Sequence, residues 1–418
     1  MRFAPAARGE WGLGKGDVVR TGGGAMADAV GERARPAGRG RGRRRLRTLL
    51  AVLVAAVTAA AASGPGARGG GGHERTLAAM EAAVRDGVPG VLGRAHDGRG
   101  AWRGSAGVSD LTTRRPFLPR DHFRTGSIAK TFVATVVLQL EAEGRLSVDD
   151  TVESRLPGVV RGHGHDGRKI TIRQLLDHTS GIFNYLDDPT LRAKVYGKAF
   201  LAHRDDTWTP AELVALAMTH APNFPPGTGY DYSNTEYTLA ALIVERTTGR
   251  PYGTELRRRI TEPLGLHSTT LPGTDRRIPR PSGREYTRFH DDPGTTHDVT
   301  EFNPSLLWAV GDMISTTADL DRFLAVLLGG GLLPPAQMRE MTTTVPQGDD
   351  PDSAAGLGLF RYRLPCGAEV WGHDGLFYGT QSIAYATRDG RHRLVVHFNG
   401  DWLADTAAAG NVLLAEFC

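Results

Sequence analysis

Ser127 and Lys130 stand three residues apart in Ser127-Ile-Ala-Lys130, a spacing that sets a hydroxyl and an amine on the same side of a helix. At the start of a helix, unpaired N–H groups and the dipole favour negative charge as it develops. A lysine one turn deeper in an apolar helix is costly to keep charged, and desolvation lowers its pKa. A neutral amine within reach can take the hydroxyl proton as serine attacks a carbonyl. The only lysines are Lys15, Lys130, Lys169, Lys194 and Lys198, and Lys130 alone has a serine three positions before it. In a chain that otherwise uses arginine, this points to a need for a group that can lose its proton.

Two further clusters add to this pair. Tyr232-Ser-Asn234 lies on a Pro- and Gly-rich loop just before a helix, so its alternate side chains can project into a cleft. A phenol can shuttle a proton, and an amide can both accept from Lys130 and donate to a substrate carbonyl. His373-Asp-Gly375 follows a strand over 368–373. His373 at the strand end supplies a hydrogen-bond donor at the cleft edge, and Gly375 leaves room for a substrate backbone to lie along the strand. The N–H groups of Ser127 and Leu376 can then form an oxyanion hole.

The elements that must carry these residues follow from patterning. Ile128, Ala129, Phe132, Val133, Val136, Val137 and Leu140 cover most of the circumference of a helix from Ser127 to Glu143, so that helix is deeply buried, and Gly144 stops it. Between Val88 and Val108, apolar stretches flank the hairpin signal Asp97-Gly98. The middle of the chain is helix and loop, with helices expected at 171–178, 210–219, 235–248, 252–260 and 317–329. The Pro- and Arg-rich segment 271–300 is expected to be a surface loop. Strands return at 356–364, 368–373, 379–387 and 392–399, before a last helix at 403–417. The fold class is therefore α/β (α+β): one antiparallel sheet built from both termini, flanked by helices, with a mostly helical region inserted.

In order and spacing, these clusters resemble the branch of penicillin-binding proteins and class C β-lactamase-related serine hydrolases that uses Ser-x-x-Lys, Tyr-x-Asn and His-x-Gly. Further stretches of similarity are Phe123-Arg-Thr-Gly126, Leu175-Leu-Asp-His-Thr-Ser-Gly181 and Ser315-Thr-Thr-Ala-Asp-Leu320. The resemblance spans about residues 75–418 and implies the β-lactamase/transpeptidase-like fold, with no metal and no organic cofactor. It implies that Ser127 is acylated, that Lys130 assists proton transfer, that Tyr232 relays the proton, that Asn234 orients the substrate amide, and that His373 finishes the cleft wall. It also implies a small acyl substrate: a D-alanyl-D-alanine peptide of the cell wall, with an ester, a β-lactam or a D-amino-acid amide as rivals. A penicillin-binding sensor without turnover is the non-enzymatic alternative, and β-lactams are candidate inhibitors. In the secreted carboxypeptidases, hydroxyls beside the His-x-Gly motif and a nearby arginine hold the substrate carboxylate. The matching positions here are Asp374, Leu376 and Phe360. Asp374 repels a carboxylate, and the apolar pair suits neutral leaving groups. Arg361 is next to Phe360 but faces the other side of a strand.

The basic cluster Arg43-Arg44-Arg45-Leu46-Arg47 leads into an apolar run from Leu49 to Ala62, too short to span a bilayer comfortably. This describes a signal peptide, so residues 1–62 are expected to be a leader, cleaved after Ala62 or near Ala67, and the chain to be secreted or extracytoplasmic. An uncleaved membrane anchor is the alternative. The leader holds a net charge of +8 in a chain of +4, which leaves −4 and no basic surface for nucleic acid. The two cysteines, Cys366 and Cys418, pair most simply as one disulfide, and in a loop of about fifty residues that contributes about 4 kcal/mol. A metal site at His163-Gly-His165-Asp166 is not expected, and the chain is expected to be a monomer.

Overall fold

Gly90–Asp97 (β1) and Gly100–Gly107 (β2) form the expected hairpin, and Asp97 closes its turn by accepting a hydrogen bond from the amide of Arg99 at 2.8 Å. Our computed structural model describes residues 72–348, 350–403 and 407–418, so the leader with its apolar run lies outside the described residues. The remaining strands of the sheet are Val345–Pro346 (β3), Ser353–Ala355 (β4), Phe360–Arg363 (β5), Glu369–Phe377 (β6), Thr380–Ala386 (β7) and Arg393–Phe398 (β8). Their order is β2-β1-β8-β7-β6-β5-β4-β3, and each described pairing is antiparallel. The first hairpin thus joins the last strand, with Ala95 opposite Leu394.

Helices cover both faces. The long ones are Glu74–Arg85 (α1), Ala129–Ala142 (α2), Asn234–Thr248 (α3), Thr317–Leu328 (α4) and Ala408–Phe417 (α5). α1 and α5 share an apolar cluster with one face of the sheet, in which Met80, Val91, Val396 and Val412 meet. α2, α3 and α4 join the larger cluster on the other side. Every residue of α2 except Gln139, Glu141 and Ala142 is buried, and Phe132 stacks on Phe323 of α4 with ring centres 3.6 Å apart. Each such side chain removed from water contributes about 1.5–3 kcal/mol. Gly144, with φ at +68°, turns the chain away after α2.

Several boundaries differ from expectation. The nucleophile segment begins as a 3₁₀ turn, Gly126–Ile128, and α2 proper starts one residue later. The last helix starts at Ala408 rather than 403. The segment 271–300 is only partly exposed: Glu285, Tyr286, Thr287, Phe289 and Val299 are buried, and Tyr286–Thr287 pairs with His297–Asp298. Its polar composition hides this burial, because a carboxylate and two hydroxyl-bearing residues are among those buried. Strand β6 runs through His373 to Phe377 instead of ending at His373. The disulfide Cys366–Cys418 is present, with Cα atoms 5.8 Å apart, and it ties α5 to the turn between β5 and β6.

Candidate active site

The turn Gly126–Ile128 sets Ser127 at the head of α2, and Lys130, fully buried, reaches back along the helix. Lys130 Nζ donates to Ser127 Oγ at 2.9 Å and to the carbonyl of Val310 at 3.0 Å. Val310 is presented by a tight loop in which Ala309 has φ at +63° and its amide donates to Asp312 Oδ1 at 3.2 Å. Lys130 Nζ lies 4.8 Å from the centre of the Tyr232 ring and 5.9 Å from that of Tyr237. The structure therefore brings together the serine, lysine and tyrosine that the sequence singled out.

Asn234 is the first residue of α3, with Ser233 in the cap position. Its amide N–H and its Nδ2 face Asn184 Oδ1, at 3.2 and 3.5 Å. His373 is buried against Phe360, with ring centres 4.4 Å apart, and lies 6.4 Å from the Tyr232 ring. Burial, and after it the charge of Lys130, lowers its pKa to about 3, so the imidazole is neutral. Its Nδ1 faces the carbonyl of Asp374 at 2.5 Å. His373 thus sits within a strand, not at the strand end expected.

Gly375 has a different use from the one anticipated. A β-carbon there would stand 1.9 Å from the carbonyl oxygen of Thr125, so the space over Gly375 is filled by the chain leading to Ser127, not left open for substrate. A β-carbon on Gly126 would likewise stand 2.8 Å from the amide nitrogen of Leu376. Both glycines let β6 lie against the serine turn, with the Leu376 amide nitrogen packed close to Gly126. Ser382 Oγ and Thr380 Oγ1 donate to the carbonyls of Thr125 (2.8 Å) and Arg124 (2.9 Å), fixing the approach.

Sequence reasoning quoted the His178 stretch without giving it a role. His178 Nδ1 lies 2.5 Å from Glu236 Oε2, while Ser180 Oγ donates to Glu236 Oε1 at 2.5 Å. The His178 ring packs on Tyr232 with centres 4.2 Å apart. Burial drives Glu236 well above the usual carboxyl range and His178 well below the usual imidazole range, so both are held neutral. Little in the sequence signals this, because Glu236 stands in the first turn of α3, where an acidic residue is ordinary.

Phe360 is buried beside Tyr232, with ring centres 6.3 Å apart. Arg361 faces away, as expected, with Nη1 3.7 Å from Glu369 Oε2. Asp374 is partly exposed, and Tyr385 Oη donates to its Oδ1 at 3.1 Å. Among the described residues, no group of three His, Cys, Asp or Glu side chains is placed to hold a metal ion.

Residues 74–417 match the Beta-lactamase family. The chain is 51% identical to a D-stereospecific amidohydrolase from Streptomyces sp., covering 83% of this chain and 98% of that one with a TM-score of 0.78. It is 27% identical to the D-amino acid amidase of Ochrobactrum anthropi SV3, covering 82% of this chain and 98% of that one with a TM-score of 0.71. Penicillin-binding protein 4 of Amycolatopsis lactamdurans is 30% identical over 276 residues, 64% of this chain and 65% of that protein. The chain spans between 55% and 65% of the length of the first curated relatives it matches. The fold, the Ser127–Lys130 contact and the family match over 74–417 lead to one conclusion: this chain belongs to the beta-lactamase family.

Proposed function

We propose that this protein is an exported serine hydrolase that cleaves amides of D-configured residues through an acyl-enzyme on Ser127. The observation that carries the reading is Lys130 Nζ at 2.9 Å from Ser127 Oγ, beside the turn that meets the Leu376 amide. Ser127 Oγ attacks the carbonyl carbon, and its proton passes to the Lys130 amine. The carbonyl oxygen, now an oxyanion, receives the N–H groups of Ser127 and Leu376. Tyr232, against Lys130, relays the proton to the departing nitrogen, and the C–N bond breaks. Water then attacks the acyl-enzyme, giving up its proton along the same path, and the acid leaves Ser127 free. Asn234 orients the substrate amide, and His373 closes the wall.

The substrate class is supported by the 51% identity to a D-stereospecific amidohydrolase over nearly all of that protein. Phe360 and Asp374 support it too, because a free carboxylate on the leaving group finds no cation at either position. The second reading is a D-alanyl-D-alanine carboxypeptidase, favoured by the penicillin-binding relatives. Export is supported by the basic cluster and apolar run before Ala62.

The test is to incubate the secreted protein, and its Ser127→Ala variant, with D- and L-phenylalanine amide, a D-Ala-D-Ala peptide, a short-chain ester and a cephalosporin. Ammonia release from the D-amide alone, lost in Ser127→Ala, is the expected result. D-Ala release without amide turnover would move the assignment to the carboxypeptidase. Full activity in Ser127→Ala would overturn the mechanism.

A further inference from the structure

The leaving-group side of the cleft can be located from Tyr232, the group proposed to protonate the departing nitrogen. Beyond Tyr232 lies Phe360, and beyond that Tyr362, Tyr385 and Asp374. Phe360 pairs with Gly372 and Gly372 with Tyr385, while Tyr362 pairs with Val370; alternation along β6 then puts Asp374 on the same face as all three rings. The ring centres of Phe360 and Tyr362 are 6.5 Å apart, and those of Tyr362 and Tyr385 are 5.5 Å apart. All three aromatic residues are buried, whereas the Asp374 side chain keeps 31% of its exposure. Its Oδ1 accepts from Tyr385, and it stands two residues before Leu376 on the strand that contributes the oxyanion N–H. Nδ1 of His373 lies 4.0 Å from its Oδ1 and belongs to a neutral imidazole. A reachable carboxylate backed by aromatic rings is the chemistry that receives an ammonium group.

We propose that Asp374, with Tyr362 and Tyr385 behind it, makes this subsite select leaving amines that carry a positive charge and reject those that carry a free carboxylate. Acylation is otherwise unchanged: the Ser127 Oγ–carbon bond forms, the carbon–nitrogen bond breaks, and the amine departs with the proton relayed by Tyr232. This inference rests on the proposed amidase activity and adds the charge class of the leaving group.

The experiment compares kcat/KM for D-phenylalanyl amides of 1,3-diaminopropane, n-butylamine and β-alanine, whose leaving groups are cationic, neutral and anionic at similar length. In the wild-type protein the cationic-to-anionic ratio is expected to exceed about tenfold, and Asp374→Asn should bring it down by about tenfold or more. The ratio should also shrink as sodium chloride is raised. A ratio near one in the wild type, or one unmoved by Asp374→Asn, would overturn the proposal; the wild-type series decides even if the variant does not fold. If none of the three amides is cleaved, the amidase reading fails by itself. The ranking is then read from the matching esters of 3-aminopropanol, n-butanol and 3-hydroxypropanoic acid.

Discussion

A β-carbon at Gly375 would stand 1.9 Å from the carbonyl oxygen of Thr125, so strand β6 and the segment entering the Ser127 turn touch backbone to backbone. Gly375→Ala must therefore push β6 away from the serine turn and displace the Leu376 amide that the proposed mechanism uses as an oxyanion donor. The expected result is a loss of about 10²–10³ in kcat, the scale of losing one oxyanion donor. Kinetics together with a melting curve check this, and a folded variant with native kcat would refute the close-approach account.

Glu236 is buried and held protonated, so it hands its proton to His178 Nδ1 while accepting from Ser180. A glutamine can do both with the same shape. Glu236→Gln is expected to cost under about 1 kcal/mol in urea unfolding, and Glu236→Ala about 2–4 kcal/mol through the cavity and the unpaired His178. Equal costs for the two variants would mean that the pair is ionised.

Burial pushes Asp312 up to about 7, and Glu285 and Asp401 likewise to about 7. A carboxyl whose pKa is raised on folding holds a proton that the unfolded chain releases near 4. The stability it confers is full below about 4 and is lost as the pH rises through about 7. Urea unfolding is therefore expected to show falling stability across that window. Asp312→Asn should flatten the fall by one proton's worth while keeping the Ala309 hydrogen bond. A variant with an unchanged slope would show that Asp312 titrates normally.

Cys366 and Cys418 close a loop of 52 residues at the end of the β5–β6 hairpin where β6 begins. Replacing both with serine is expected to cost about 4 kcal/mol on the loop-entropy argument. Because Gly375 lies further along β6, kcat at a temperature where both forms are folded should match the wild type. Unfolding free energies and initial rates measured on the same preparations decide it, and a large loss of kcat would contradict the placement.

The parts of this architecture legible in the sequence are those dictated by neighbours in the chain. α2 could be read because apolar residues wrap its circumference, and the β1–β2 hairpin because Asp97-Gly98 demands a turn. Ser127, Lys130 and Tyr232 could be read as a group because each sits in a short pattern whose chemistry needs those residue types. Contacts between distant segments stayed hidden. His178 and Glu236 lie 58 residues apart, and nothing local in either one announces the bond. Gly375 reads as an open strand position until Thr125, 250 positions earlier, is seen to fill the space. The Tyr362–Tyr385–Asp374 group needs three strands in register before it exists. α1 went unread although its buried Thr76, Met80 and Ala83 fall at helical spacing.

The place of β1 between β2 and β8 has a consequence for synthesis. During translation β1 emerges about 300 residues before the strand it must pair with, roughly 15–60 s at ordinary ribosome speeds. For that interval Val91 and Ala95 have only their own hairpin for cover, and the other edge of β1 is an open template for any extended peptide. The nascent chain is thus most exposed to mispairing early, and a chaperone that shields the first hairpin should raise the yield more than one acting on the finished chain.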